Sequence, residues 1–173
     1  MNYGIIFHTI GWVLKIEGLF MILPMICGII YSETTAVTTF LICIAICIGL
    51  GSLISLKQPK RKEMFAKEGF VIVALSWIVI SIFGALPFVF SQSIPSFVDA
   101  LFETASGFST TGASILKDVE ILPKSMLFWR SLTHFIGGMG VLVFLVAVLP
   151  LAGGNNIHLI KAESPGPSVS KLV

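Results

Sequence analysis

The chain of 173 residues carries 11 Lys+Arg against 9 Asp+Glu, so 12% of it is charged, about half of the roughly 25% usual for a soluble globular domain. With 55% apolar residues, a mean hydropathy of +0.98 and charges gathered between long uncharged runs, the composition excludes an ordinary water-exposed fold and intrinsic disorder. A net charge of +2 is too small and scattered for a nucleic-acid surface. The cysteines Cys27, Cys43 and Cys47 lie in apolar stretches without zinc or disulfide spacing, and read as packing residues.

Four uncharged runs are measured against the roughly 20 apolar residues that carry a helix across a core of about 30 Å. Residues 18–32 reach that length only if the helix begins near Gly11, which places Lys15 and Glu17 in its first turns with the lysine snorkelling to the headgroups. No basic region precedes the apolar stretch, so a retained helix is expected rather than a signal peptide. Pro24 in its interior predicts a kink. Lys15 and Glu17 are two apart, do not share a helix face, and receive no transport role.

Residues 34–56 predict a second helix, and the run Lys57-Gln58-Pro59-Lys60-Arg61-Lys62 after it predicts a loop. Lys57, Lys60, Arg61, Lys62 and Lys67 form the densest positive cluster, and short basic loops stay cytoplasmic. The N-terminus is then cytoplasmic and the turn at 32–34 lies outside. A third helix (about 68–90) runs outward, a last one (about 126–149) returns, and the tail with Lys161 and Lys171 ends in the cytoplasm. The expected division is 1–66 for two N-terminal transmembrane helices with their basic loop, 67–150 for the third and last helices with the segment between them, and 151–173 for a cytoplasmic tail. The fold class is an all-α membrane protein.

The segment between the third and last helices carries the functional signal. Pro95-Ser96 is a start signal, with Ser96 as N-cap and Asp99 at the acidic position of a capping box. From Phe97 to about Ser106 the apolar residues recur at helical spacing. Ten residues reach about 15 Å, enough to dip into a bilayer but not to cross it. Gly107 is expected to end this helix, and Ser109-Thr110-Thr111-Gly112-Ala113-Ser114 follows without a large apolar side chain.

Two readings of the segment stand open on composition. One is a solvated outer loop. The other is a re-entrant filter, since irregular backbone at membrane depth is tolerated when it lines a watery path, where its carbonyl oxygens replace water around a cation. Gly112 would let the backbone turn carbonyls towards an axis at φ values closed to other residues. The C-terminal end of the preceding helix, partially negative, would favour a cation there.

The stretch Phe102-Glu103-Thr104-Ala105-Ser106-Gly107-Phe108-Ser109-Thr110-Thr111-Gly112-Ala113-Ser114, followed by Phe128-Trp129-Arg130-Ser131-Leu132-Thr133-His134-Phe135-Ile136-Gly137-Gly138-Met139-Gly140-Val141, resembles the first pore repeat of the TrkH/TrkG/KtrB family of potassium uptake proteins. The tail Ala162-Glu163-Ser164-Pro165-Gly166-Pro167 is similar to the stretch that follows that repeat, and the two extra N-terminal helices resemble the TrkH branch. The resemblance implies a potassium-channel-like fold of helix, pore-helix, helix repeats, with 67–150 as the first and 151–173 as a tail or linker to further repeats, in a bacterial inner-membrane protein. It further implies that Thr110, Thr111, Gly112 and Ala113 offer carbonyls, with K⁺ held at Thr110 and Thr111 and Gly112 as the filter glycine. It implies no covalent cofactor, K⁺ as the transported ion, assembly as a dimer, and a cytoplasmic nucleotide-binding regulatory partner of RCK type. The family joins four such repeats in one polypeptide. This chain holds one, so it resembles an N-terminal portion of a transporter subunit.

Further positions in the last helix and the tail complete the pattern. Arg130, at the outer end of the last helix, either pairs with Glu103 beside the filter, supporting it together with Gly107, or snorkels outward. His134, one turn deeper, reads as a hydrogen-bonded packing residue because no second metal-ligand candidate stands beside it. Gly137, Gly138 and Gly140 allow close helix packing, with a hinge as the alternative. His158 follows Gly153-Gly154-Asn155-Asn156, a helix-ending loop. The deep polar groups are isolated, so the nucleophile-and-base pair that an intramembrane enzyme requires is missing from the pattern. Cation conduction is the leading function, with a non-conducting structural subunit or a fragment lacking a complete pore as the alternative.

Overall fold

The computed structural model of the chain describes residues 3–56 and 66–148, and every element in them is helical. The basic loop from Lys57 and the tail with His158 and 162–167 lie outside the described residues. Among the described residues, three helical segments are long and apolar enough to cross a membrane: Tyr3–Ile30, Thr34–Ser55 and Glu68–Phe90. Many large apolar side chains point outward, among them Phe7, Leu19, Ile30, Leu41, Leu53 and Ile78, as expected where lipid is the solvent.

The first crossing is two helices rather than one. Helix α1 (Tyr3–Phe20) and α2 (Ile22–Ile30) meet at Met21. Pro24 explains the break: it has no amide to donate to the carbonyl of Phe20, and its ring crowds that carbonyl. The start at Tyr3 lies eight residues before the expected Gly11, because uncharged length alone underestimates a helix that keeps Lys15 and Glu17 inside it. Those two residues are therefore mid-helix rather than in the first turns. Lys15 still reaches towards a helix end. Its Nζ donates to Ser55 Oγ at 2.6 Å, at the end of α3 (Thr34–Ser55), and lies 4.5 Å from the Trp12 ring centroid.

Helices α1 and α3 are antiparallel neighbours whose backbones touch. A Cβ built on Gly11 would stand 2.7 Å from the Gly51 carbonyl oxygen, and one on Gly51 the same distance from that of Gly11. Small residues at such crossings let helices approach closely where lipid offers no hydrophobic drive for association. Cys43 and Cys47 are buried in the same seam, free of disulfides and, with no metal-binding group of His, Cys, Asp or Glu among the described residues, serve as packing residues.

Helix α4 (Ala66–Phe90) runs through Pro87 and ends in a turn that leads to α5 (Phe97–Phe108), a helix of 12 residues. A 3₁₀ turn at Val119–Ile121 then precedes α6 (Lys124–Val148). Helix α5 packs between α4 and α6, and α2 and α3 brace α6 and α4 from behind. Trp129 of α6 is the centre of this core. It is fully buried, donates from Nε1 to the Gly84 carbonyl at 2.9 Å, and meets Phe40 and Phe108 edge-on at centroid distances of 6.4 and 6.5 Å.

The start of α6 has no cap in its own sequence. Glu33, in the turn between α2 and α3, provides one: its carboxylate accepts from the Lys124 amide at 2.7 Å, the Ser125 amide at 3.1 Å and the Ser125 hydroxyl at 2.5 Å. Burial pushes the Glu33 carboxyl up, but the Ser125 hydroxyl, the two amides and the Lys124 charge outweigh it and hold the group below the ordinary carboxylate range. The stabilisation is present above the ordinary range and is lost as pH falls through the lowered folded-state value. Thermal unfolding in detergent should therefore show an acid-side loss of stability. Glu33→Gln should lower stability at neutral pH by about 1 kcal/mol, the worth of a helix cap, and flatten that acid-side step.

Candidate ion-coordinating loop

Helix α5 begins as the sequence predicts, with Ser96 as its cap accepting from the Asp99 amide at 3.4 Å. It ends two residues later than expected. Gly107 is helical and does not terminate α5, which runs to Phe108 with Ser109 as C-cap. The glycine is there for space, because a Cβ on it would collide with Thr133 Oγ1 of α6. Gly137 answers from α6: a Cβ there would run into the Phe108 carbonyl. Two glycines thus bring the backbone of α6 against the end of α5. Gly140 faces Trp77 at 3.4 Å, and Gly138 stands 3.9 Å from the Thr110 methyl, so all three glycines of α6 lie at helix or loop contacts.

Buried Thr104 ties α5 to α4, donating from Oγ1 to the Ser81 carbonyl at 2.9 Å. The residue before it, Glu103, is 1% exposed. Arg130 Nε donates to Glu103 Oε1 at 2.5 Å, so the arginine turns inward to the carboxylate. The same carboxylate accepts from Ser114 Oγ at 3.0 Å and from the Ile115 amide at 3.1 Å. One buried acid therefore holds α6 and the exit of the loop to α5. His134 Nδ1 lies 2.9 Å from the Arg130 carbonyl, within its own helix.

Between these anchors the loop 109–114 is exposed and its polarity is sorted. Thr110 and Gly112 both adopt positive φ, at 58° and 75°. Their conformation turns the amides back onto the end of α5: Thr110 donates to the Gly107 carbonyl at 2.9 Å, and Thr111 and Gly112 donate to that of Ser106 at 3.0 and 3.4 Å. The carbonyls of Thr110, Thr111 and Gly112 have no protein partner among the described residues. Ala113 differs, since its carbonyl accepts from Ser106 Oγ at 2.6 Å, leaving one lone pair outward. Of the four expected carbonyl donors, three are unengaged and the fourth is half-committed.

A spanning helix, a short capped helix with a carbonyl-bearing loop, and a returning helix are the repeating unit of a potassium-channel-like membrane fold. A family model described as TrkH, cation transport protein, matches residues 35–172, and the chain belongs to that family. It is 38% identical over 165 residues to the Trk system potassium uptake protein TrkG of Escherichia coli K12, covering 94% of this chain and 34% of that protein. It is 38% identical over 172 residues to TrkH of the same strain, covering 96% and 35%. The crystal structure of the potassium transporter TrkH from Vibrio parahaemolyticus superimposes with a TM-score of 0.81 at 30% identity, covering 94% of this chain and 36% of that one. The chain thus spans about a third of the length of the relatives it matches.

The capping role of Glu33 does not appear among the features expected from the sequence. The available signal was α6 itself, which opens Leu122-Pro123-Lys124-Ser125 without an acidic residue in its first turn. The Glu103 tie makes its own prediction. Arg130→Leu strands a buried carboxylate and should cost about 3–5 kcal/mol. The double variant Glu103→Gln/Arg130→Leu should recover part of that loss, as measured by thermal unfolding of the purified protein.

Proposed function

We propose that this chain supplies one of four quarters of a potassium-selective path, in a Trk-type uptake system. The observation that carries the reading is the sorted loop, with amides folded onto α5 and the carbonyls of Thr110, Thr111 and Gly112 left without protein partners. Such oxygens stand in for the water around a dehydrating cation. Potassium sits at the level of Thr110 and Thr111, with Ala113 contributing its remaining lone pair. The C-terminal end of α5, partially negative, lies directly before the loop and favours a cation over an anion there. Glu103, Gly107 and Arg130 support the filter by holding its two ends, Gly107 by letting α6 close on α5.

The remaining three quarters come from further helix, pore-helix, helix repeats of the full-length subunit. That subunit pairs as a dimer in the bacterial inner membrane, N-terminus in the cytoplasm, and answers to a cytoplasmic nucleotide-binding protein of RCK type. Ions enter down the electrical gradient, and no bond is made or broken. The relatives named as potassium uptake proteins support the choice of ion. A non-conducting subunit would have no use for three consecutive carbonyls left without protein partners.

The test is made in the full-length protein that contains this segment. Gly112→Asp puts a side chain on a residue at positive φ, straining the backbone by about 1–2 kcal/mol, and adds a charge among the carbonyls. Potassium uptake by a transport-deficient host should fall by at least about tenfold, equivalent to roughly 1.4 kcal/mol on the barrier, while membrane insertion and expression persist. Unchanged uptake would end the filter assignment.

A further inference from the structure

One buried carboxyl group has no part in the conduction reading and, among the described residues, no partner that explains it. Glu17 of α1 is 4% exposed, and neither of its carboxylate oxygens has a hydrogen-bond partner among the described residues. It sits in the middle of the first crossing, about 21 Å along α1 from Tyr3 at 1.5 Å per residue.

Its surroundings contain no counter-charge among the described residues. From α3, the titratable groups facing it are the thiols of Cys43 and Cys47. From α4 it meets Gly84, with Oε1 3.2 Å from where a Cβ on that glycine would stand. The charged residues of α4, Lys67 and Glu68, lie 16 or more positions away, about 24 Å along the helix. On α1 itself, the Lys15 ammonium is turned to Ser55 and Trp12. Beyond α4, Glu103 and Arg130 are committed to each other, and His134 to the Arg130 carbonyl. A bare carboxylate here would have neither water nor a cation, a far more expensive arrangement than a neutral acid. An ionisable group at membrane depth is in general a functional feature rather than filler.

The location gives that group a readout. The spot beside Gly84 that Glu17 approaches from one side is occupied from the other by the Phe108 ring, 2.9 Å from the same Cβ position. The Gly84 carbonyl holds Trp129, whose ring edge also packs on Phe108. Phe108 is the last residue of α5, directly before the loop 109–114. Glu17, Gly84 and Phe108 therefore form a single contact behind that loop.

We propose that Glu17 is a proton-binding site: as a neutral acid it seats α1 against Gly84 and Phe108, and release of the proton unseats that wall and disturbs the loop. The consequence for transport rests on the conduction reading above, whereas the proton site itself does not. The experiment uses the full-length protein, purified and reconstituted in lipid vesicles, with wild type compared to Glu17→Gln, which keeps the shape of the acid and cannot ionise. Glu17→Met, neutral and of similar volume, is the second variant should the glutamine protein fail to fold.

In the infrared spectrum, wild type should show a protonated-carboxyl stretch that the neutral variants lack and that disappears as pH rises. Potassium uptake by wild type should fall over that same interval, by up to about tenfold for each pH unit past the midpoint, while the variants change by less than about twofold. A wild-type spectrum from which substitution removes no carboxylic-acid band overturns the proposal, as do identical pH profiles of uptake in wild type and variant. Absence of uptake in wild type at every pH would instead sink the conduction reading, with the infrared band still deciding the proton site.

Discussion

The arrangement depends on Glu103. A carboxylate that is 1% exposed must be fully partnered, and its partners come from two other parts of the chain: Arg130 of α6, and Ser114 with the Ile115 amide where the loop leaves α5. Because taking a charge from water is so unfavourable, such a group is stable only when its ligands are in place. The loop 109–114 has no core of its own and is exposed throughout. Its shape is set by this anchor at the exit, by amides folded onto α5 at the entrance, and by a glycine contact on each side of the α5–α6 crossing.

Those contacts explain how an exposed, apolar-poor loop can keep two residues at positive φ. Left-handed backbone at Thr110 carries a steric penalty that glycine at 112 escapes. The penalty at Thr110 is offset by the amides of 110–112, which satisfy the carbonyls that the last turn of any helix leaves open. Capping α5 and exposing the loop carbonyls are one event: the same backbone rotation that turns the amides inward turns the oxygens outward.

Much of this was legible in the sequence. Residues 34–56 and 68–90 announced themselves by uncharged length, and Ser96 with Asp99 marked the start of α5 where the structure has it. Local rules failed where a neighbour from far along the chain decided the outcome. Gly107 reads as a helix stop because glycine commonly is one, yet it was chosen for its distance from Thr133. Glu17 reads as a near-terminal residue because charge was assumed to mark the membrane edge, yet it is enclosed by three helices. The Glu33 cap lies 91 positions from the amide it serves, and its one local trace is the lack of an acid in the first turn of α6.

That last distance has a meaning for how the molecule is made. A helix usually carries its own cap, so it can form as soon as it is synthesised. Helix α6 takes its cap from the turn between α2 and α3, 91 positions earlier, so the cap forms only once the intervening helices have brought Lys124 and Ser125 to Glu33. The carboxylate therefore couples the two ends of the described chain: whatever displaces the turn between α2 and α3 also uncaps the last helix.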